Sequence, residues 1–229
     1  MRSLFSQILF PEEACLLCAV HPATADGPCA ACVRDLPWLL RACTGCGMPL
    51  PPDLDACACD PADWPFSGVL CALAFEFPAD RLVKRYKELP DLRLSFPLAR
   101  LLHRRIRQAG RPRPALLVPV PAAPERLAVR GFDQAVELSR ELSRLSGIPF
   151  RSDIIRRAAG GSAQKSLSRQ QRERNLADLF SLAPDIRLPA RIALVDDVVT
   201  TGATARHLAA LLRARGATDI QVWGVARTL

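Results

Sequence analysis

From Ser67 to the C-terminus, short apolar runs alternate with stretches in which apolar residues recur every three or four positions, with polar turn residues between them. Bounded apolar runs of roughly four to eight residues read as buried strands, and a period near 3.6 reads as amphipathic helix. Strands are predicted at 69–75, 115–120, 150–155, 192–195 and 220–226. Helices are predicted at 78–87, 93–108, 133–145 and 203–213. The second helix sets Leu98, Leu101, Leu102 and Ile106 against an arginine face. The third buries Ala135, Leu138, Leu142 and Leu145, with Asp133 placed to cap its start, and the last aligns Leu208, Leu211 and Leu212. This alternation predicts an α/β fold with a sheet of about five mainly parallel strands flanked by helices.

The first 64 residues follow another rule. Eight of the nine cysteines form four close pairs, Cys15/Cys18, Cys29/Cys32, Cys43/Cys46 and Cys57/Cys59, each starting fourteen residues after the last. Two thiolates on a tight turn grip one metal, and two such turns complete a tetrahedral site, so eight predict two structural zinc ions with no open position for a reacting water. Gly45 and Gly47 suit the turns of a zinc ribbon. The regular period fits sequential and interleaved sites equally, and the last pair has one intervening residue instead of two. His21 is a further candidate ligand, weighed against a surface role. A disulfide scaffold fits the even count, but the metal spacing and the lack of a secretory signal favour zinc. Cys71 has no partner and is expected to pack as a small hydrophobe. So short a segment, poor in large apolar residues, cannot fold by burial alone, so the metals should supply its folding energy. Residues 1–64 are therefore expected to form a small zinc-ribbon domain and 65–229 the α/β domain.

The 229 residues are 49% hydrophobic and 24% charged, as in a soluble globular protein. No run approaches the roughly 20 apolar residues of a membrane span, and 1–10 lacks a cleavage site, so a cytoplasmic location is expected. Net charge is +8, and of 31 basic residues only Lys84, Lys87 and Lys165 are lysines. The basic clusters at 81–87, 103–113 and 151–174 favour polyanionic partners, although such a surplus also serves solubility. One Tyr and three Trp leave no extended platform for stacking bases.

The most informative run is Val195-Asp196-Asp197-Val198-Val199-Thr200-Thr201-Gly202-Ala203-Thr204. Two carboxylates end a buried strand, and a Thr/Gly turn opens the next helix. Backbone N–H groups at that helix start lack helical partners and, with the helix dipole, suit a phosphate. Gly202 allows the tight turn, the threonine hydroxyls add donors, and the acidic pair can accept bonds from ribose hydroxyls. Capping alone needs one Asp and no Thr-Thr-Gly. The run resembles the 5-phosphoribosyl-1-pyrophosphate (PRPP) motif of type I phosphoribosyltransferases. That resemblance implies that Asp196 and Asp197 contact the ribose 2′ and 3′ hydroxyls and that the segment through Val198, Val199, Thr200, Thr201, Gly202, Ala203 and Thr204 wraps the 5′-phosphate.

Two other segments look chemical. Arg126 and Arg130, with Gly131, precede a helix start and suit a second anion such as pyrophosphate. Residues 160–175, with Lys165, Arg169, Arg172 and Arg174, read as a loop able to close over a ligand, or as solvated linker.

With the cysteine pairs, Lys84-Arg85-Tyr86-Lys87, Val118-Pro119-Val120-Pro121, Arg130-Gly131-Phe132-Asp133-Gln134, the 164–175 loop and the 196–204 run, the chain resembles the ComF family of amidophosphoribosyltransferase-like competence proteins. The resemblance covers nearly the whole chain and implies a type I phosphoribosyltransferase-like domain behind a double zinc ribbon. Two departures are Asp133, where the family usually has Asn, and the short final cysteine pair. It implies PRPP as ligand with Mg²⁺ on the leaving group, and a role with single-stranded DNA alongside helicase and recombination-loading partners. Transfer of phosphoribose to an acceptor, with no DNA role, is the alternative; no residue stands out as the acceptor's base.

Overall fold

A computed structural model of the chain describes residues 14–24, 27–54, 57–60, 64–88, 92–159 and 179–229. Residues 160–175, read above as a loop, lie outside them. In chain order the elements are α1 (Ala30–Arg34), β1 (Gly68–Ala74), α2 (Ala79–Glu88), a 3₁₀ turn (Leu92–Leu94), α3 (Ser95–Ala109), β2 (Leu116–Pro119), α4 (Pro124–Arg130), α5 (Gln134–Ser146), β3 (Ile155–Arg157), β4 (Phe180–Leu182), β5 (Arg191–Val199), α6 (Ala203–Ala214) and β6 (Asp219–Arg227).

Four strands form one all-parallel sheet in the order β1-β6-β5-β2. Both faces are covered, which is why these strands are apolar throughout rather than alternating. Odd and even positions serve different layers. Leu70, Leu117, Ala193 and Val195 meet Leu98, Leu101 and Leu102 of α3 and Leu138 and Leu142 of α5 on one face. Val69, Val118, Ile192 and Leu194 meet Leu208 and Leu212 of α6 on the other. Each fully buried Leu contributes roughly 1.5–3 kcal/mol, so the two layers hold the sheet rigidly beneath its loops.

The structure corrects the sequence-based reading in three places. The main sheet has four strands rather than about five: residues 150–155 give only a bridge between Phe150 and Leu117, after which Ile155 enters β3, paired antiparallel with β4. Strand β5 runs beyond Val195 to Val199, so the acidic pair lies inside the strand and not after it. Pairing with β6 continues there, Asp196 opposite Gly224 and Val198 opposite Ala226. Helix α4 is an addition. It starts on Pro124 and ends at Gly131, and because it buries no residue it carries no amphipathic signal.

The cysteine-rich region packs on the sheet. Leu36 joins the core, Trp38 bridges Leu73, and the Val69 amide lies against the Thr44 and Gly45 carbonyls. Only glycine fits at Gly68, where a Cβ would stand 2.0 Å from the Thr44 carbonyl oxygen. Among the described residues, no helix is long and apolar enough to cross a membrane.

Candidate functional site

The carboxyl ends of β2 and β5 open into a cavity of about 220 Å³, the place where open α/β sheets bind ligands. Strand β5 and its turn supply Asp196, Asp197, Val198, Thr200 and Thr204. The α4–α5 corner supplies Arg126, Arg130, Asp133 and Gln134, while Lys87 enters from the end of α2 and Arg157 from the end of β3.

The Lys87 Nζ lies 3.2 Å from Asp197 Oδ1, and the Asp197 amide donates to Asp196 Oδ1 at 2.8 Å. Burial, followed by the negative charge of Asp197, holds the Asp196 carboxyl well above the ordinary carboxylate range, with Lys87 opposing. An acid with a raised folded-state pKa favours the folded form most at low pH, and that advantage is lost as pH rises through the folded value. Asp196→Asn is therefore expected to melt at a higher temperature than wild type at pH 7.5, with the gap closing toward the ordinary carboxylate range. A lower melting temperature, or a gap independent of pH, would contradict this.

Gly202 turns the chain with φ 74° at the start of α6, where no side chain caps the helix. The Arg206 amide bonds the Gly202 carbonyl, and the Ala203 amide lies 3.4 Å from Thr201 Oγ1. Thr200 and Thr204 line the cavity. Val199, Thr201, Gly202 and Ala203 shape the turn without lining it. Arg227, 8% exposed, donates to the Val199 and Thr200 carbonyls from behind.

At the opposite wall, Asp133 caps α5. One carboxylate oxygen accepts from the Ala135 and Val136 amides and the other from the Ala122 amide at 2.7 Å. Burial raises its pKa against those bonds. With both oxygens committed to backbone donors, Asp133 joins α5 to the segment after β2. Arg130 Nη1 donates to Gln134 Oε1, and Tyr86 donates to the Gln134 carbonyl. The Gln134 Nε2, buried and without a partner, is a spare donor in the cavity wall. Gly131 terminates α4 and does not line the cavity.

Lys87 as the partner of Asp197, Gln134 and Arg157 were not singled out as site residues from the sequence. The register of α2, which buries Leu82, Val83 and Tyr86, was the available signal for Lys87. Arg157 sits in a three-residue strand far along the chain, with no local signal.

The cysteines gather as Cys15, Cys18, Cys29, Cys32 and as Cys43, Cys46, Cys57, Cys59, with all ligand atoms of a group within 4.8 Å of one another. The sites are thus sequential, not interleaved, and His21 belongs to neither. Sulfur separations of 4.0 Å (Cys18–Cys29) and 3.5 Å (Cys43–Cys59, Cys46–Cys57) bracket the roughly 3.8 Å edge of a tetrahedron with ~2.3 Å zinc–sulfur bonds. Each group can hold a zinc ion. Burial disfavours the Cys15 thiolate, but amides of Cys18, Cys29 and Leu17 outweigh it and bring its pKa to about 6. In the same way Cys43 falls to about 7, helped by the Cys46 amide. Cys71 is buried apart from both groups, which pushes its thiol up to about 12.

An all-parallel sheet flanked by helices, with an acidic pair and a Thr/Gly turn at its carboxyl edge, is a type I phosphoribosyltransferase-like fold. Solved glutamine PRPP amidotransferase from Bacillus subtilis matches 56% of this chain and 26% of its own, with 18% identity and a TM-score of 0.38, so the chain spans about a quarter of that enzyme's length. No protein-family model matches the chain. Among curated relatives, Haemophilus influenzae "Competence protein F" is 40% identical over 156 residues, 66% of this chain and 68% of the relative. Salmonella typhi "DNA utilization protein YhgH" is 33% identical over 221 residues, 94% of this chain and 97% of the relative. The chain belongs to the ComF family.

Proposed function

We propose that the protein binds PRPP, or a closely related sugar pyrophosphate, with Mg²⁺ at the β5–α6 cradle, and that it handles single-stranded DNA during uptake or utilisation in the cytoplasm. One observation carries the first half: a single cavity brings hydroxyl acceptors, Asp196 and Asp197, beside a phosphate-sized turn and the cations Lys87, Arg126, Arg130 and Arg157. Such a pairing suits a ligand that is both polyol and polyanion. In this reading Asp196 and Asp197 take the ribose hydroxyls, the 198–204 turn the 5′-phosphate, and Arg130, set at the corner where Gly131 ends α4, the pyrophosphate. Mg²⁺ prefers oxygen ligands. Because Lys87 already holds Asp197, the ion fits best as one delivered on the ligand's own phosphates, where it would neutralise the leaving group.

The second half is supported by the family's names, competence and DNA utilization, together with the net charge of +8. Each cysteine group holds a zinc ion in this reading, and residues 1–64 act as a structural zinc-ribbon domain beside the 65–229 domain.

Calorimetry with PRPP and Mg²⁺ tests the first half. Wild type is expected to bind with a Kd on the order of 1 µM, about −8 kcal/mol, and Asp196→Ala/Asp197→Ala to lose binding. Equal heats from both proteins would end the reading. Measuring pyrophosphate release in the same samples separates binding alone from turnover. Gel shifts with single-stranded DNA should show binding that weakens steeply with salt; binding retained at high salt would count against the second half.

A further inference from the structure

We infer that a basic groove along α3, running from Arg100 to Arg107 and down to the amino-terminal edge of the sheet, holds a single-stranded nucleic acid by its phosphates. The inference rests on the DNA-handling reading above and assigns the surface that performs it.

Helix α3 contains no carboxylate. The arginines between positions 100 and 113 take different places in the fold. Arg105, Arg111 and Arg113 are spent on structure, donating to the backbone carbonyls of Leu39, Thr44 and Ser146, each at 2.8 Å. Arg100, Arg104 and Arg107 are spaced for one helix face. Arg100 and Arg104 lie over the rings of Phe96 and Trp38 at 5.8 and 5.1 Å, and Arg107 is exposed. With His103 and Leu145 they line an open groove of about 680 Å³. It shares His103, Arg107 and Leu145 with a second hollow of about 380 Å³, whose walls include Ile106, Pro112 and Trp223. Among the described residues, no carboxylate lines either hollow. The local potential is felt by His103, whose pKa is lowered by burial and then by Arg107 and Arg100.

This groove reaches the start of β6 and the turn before β2, whereas the sugar-phosphate cavity sits at the opposite ends of β2 and β5. The two ligands would not compete. Guanidinium groups pair with phosphates through forked hydrogen bonds and also lie flat on bases. The apolar side chains beneath them suit base faces, which a single strand exposes and a duplex hides. With so few aromatic rings the contact should be tolerant of sequence.

Fluorescence anisotropy of a labelled oligothymidylate across a salt series tests this on the full chain. Arg100→Gln/Arg104→Gln/Arg107→Gln is expected to bind at least about tenfold more weakly at low salt, with a salt slope shallower by about 2, at roughly 0.7 per phosphate contact. The corresponding Lys triple variant should keep the wild-type slope. Both should match wild type in melting temperature and PRPP heats. If the Gln variant loses its fold, Arg107→Glu decides, because it alters one exposed side chain and should still cut affinity severalfold. Wild-type affinity and slope in the Gln variant would overturn the assignment while leaving DNA handling intact; no binding by wild type would overturn both. Displacement by polyglutamate more readily than by unlabelled oligonucleotide would also overturn it, marking the groove as a site for acidic protein.

Discussion

Stripping the metal from the two cysteine groups is expected to unfold residues 14–59 while the sheet keeps most of its secondary structure. Structural zinc contributes about 10–16 kcal/mol of apparent binding energy in small zinc-finger peptides, as much as the entire stability of an ordinary domain at about 5–15 kcal/mol. Among the described residues of this region, the buried hydrophobic side chains besides Pro28 are Cys15, Cys29, Val33, Leu36, Leu39 and Cys46, and half of those six are the cysteines themselves. The two groups should not be equivalent. The second touches the sheet through Thr44 and Gly45 on Val69 and through the Cys46 carbonyl on Arg227. The Cys46→Ser/Cys57→Ser variant should therefore destabilise the sheet more than Cys18→Ser/Cys32→Ser. Metal analysis should give two zinc ions per chain, and hydrogen exchange after chelation should show lost protection across 14–59. Unchanged protection in a protein shown to be metal-free would refute the argument.

Arg227→Met should disturb two regions at once. The buried guanidinium at the end of β6 donates through Nε to the Cys46 carbonyl at 3.0 Å and through Nη1 to the carbonyls of Val199, Thr200 and Thr228. One side chain therefore ties the second cysteine group to the β5–α6 turn proposed to hold the sugar phosphate. A thioether of similar length fills the space but leaves several buried carbonyls without donors, at roughly 1–3 kcal/mol each before relaxation. A loss of about 3–5 kcal/mol by urea denaturation is expected. PRPP should also bind at least tenfold more weakly, because Thr200 loses its support. Arg227→Lys should rescue only part of both, since an ammonium cannot reproduce the fork. A Met variant with wild-type stability and PRPP heats would show that the tie is idle.

Much of this was legible because the relevant forces are local or periodic. Paired cysteines announce metal groups, and Asp133 does cap α5 as its position suggested. The limits were physical too. Strand β5 continues past Val195 because β6 supplies backbone partners for Asp196 and Val198, and an acidic pair alone reads as a strand end. Helix α4 escaped because it buries nothing, and the strand expected at 150–155 splits because a single bridge around Phe150 joins it to β2 before Ile155 turns to β4. Lys87, Gln134 and Arg157 come to the cavity from three separate elements, and no spacing along the chain relates them to Asp197.

The order of apolar runs and the spacing of the eight cysteines by themselves determined the α/β class and the pairing of cysteines into groups that could hold metal, and the Asp-Asp–Thr-Thr-Gly run marked the turn proposed above as a phosphate cradle. Those features depend on residue type and short-range spacing, which a chain carries whether folded or not. Tertiary structure alone decided that the cysteine groups are sequential, that Arg227 joins one of them to the β5–α6 turn, and which arginines are bound to backbone carbonyls and which line the α3 groove. Side chains of identical chemistry acquire different roles only when distant backbone closes around them and supplies, or withholds, a partner.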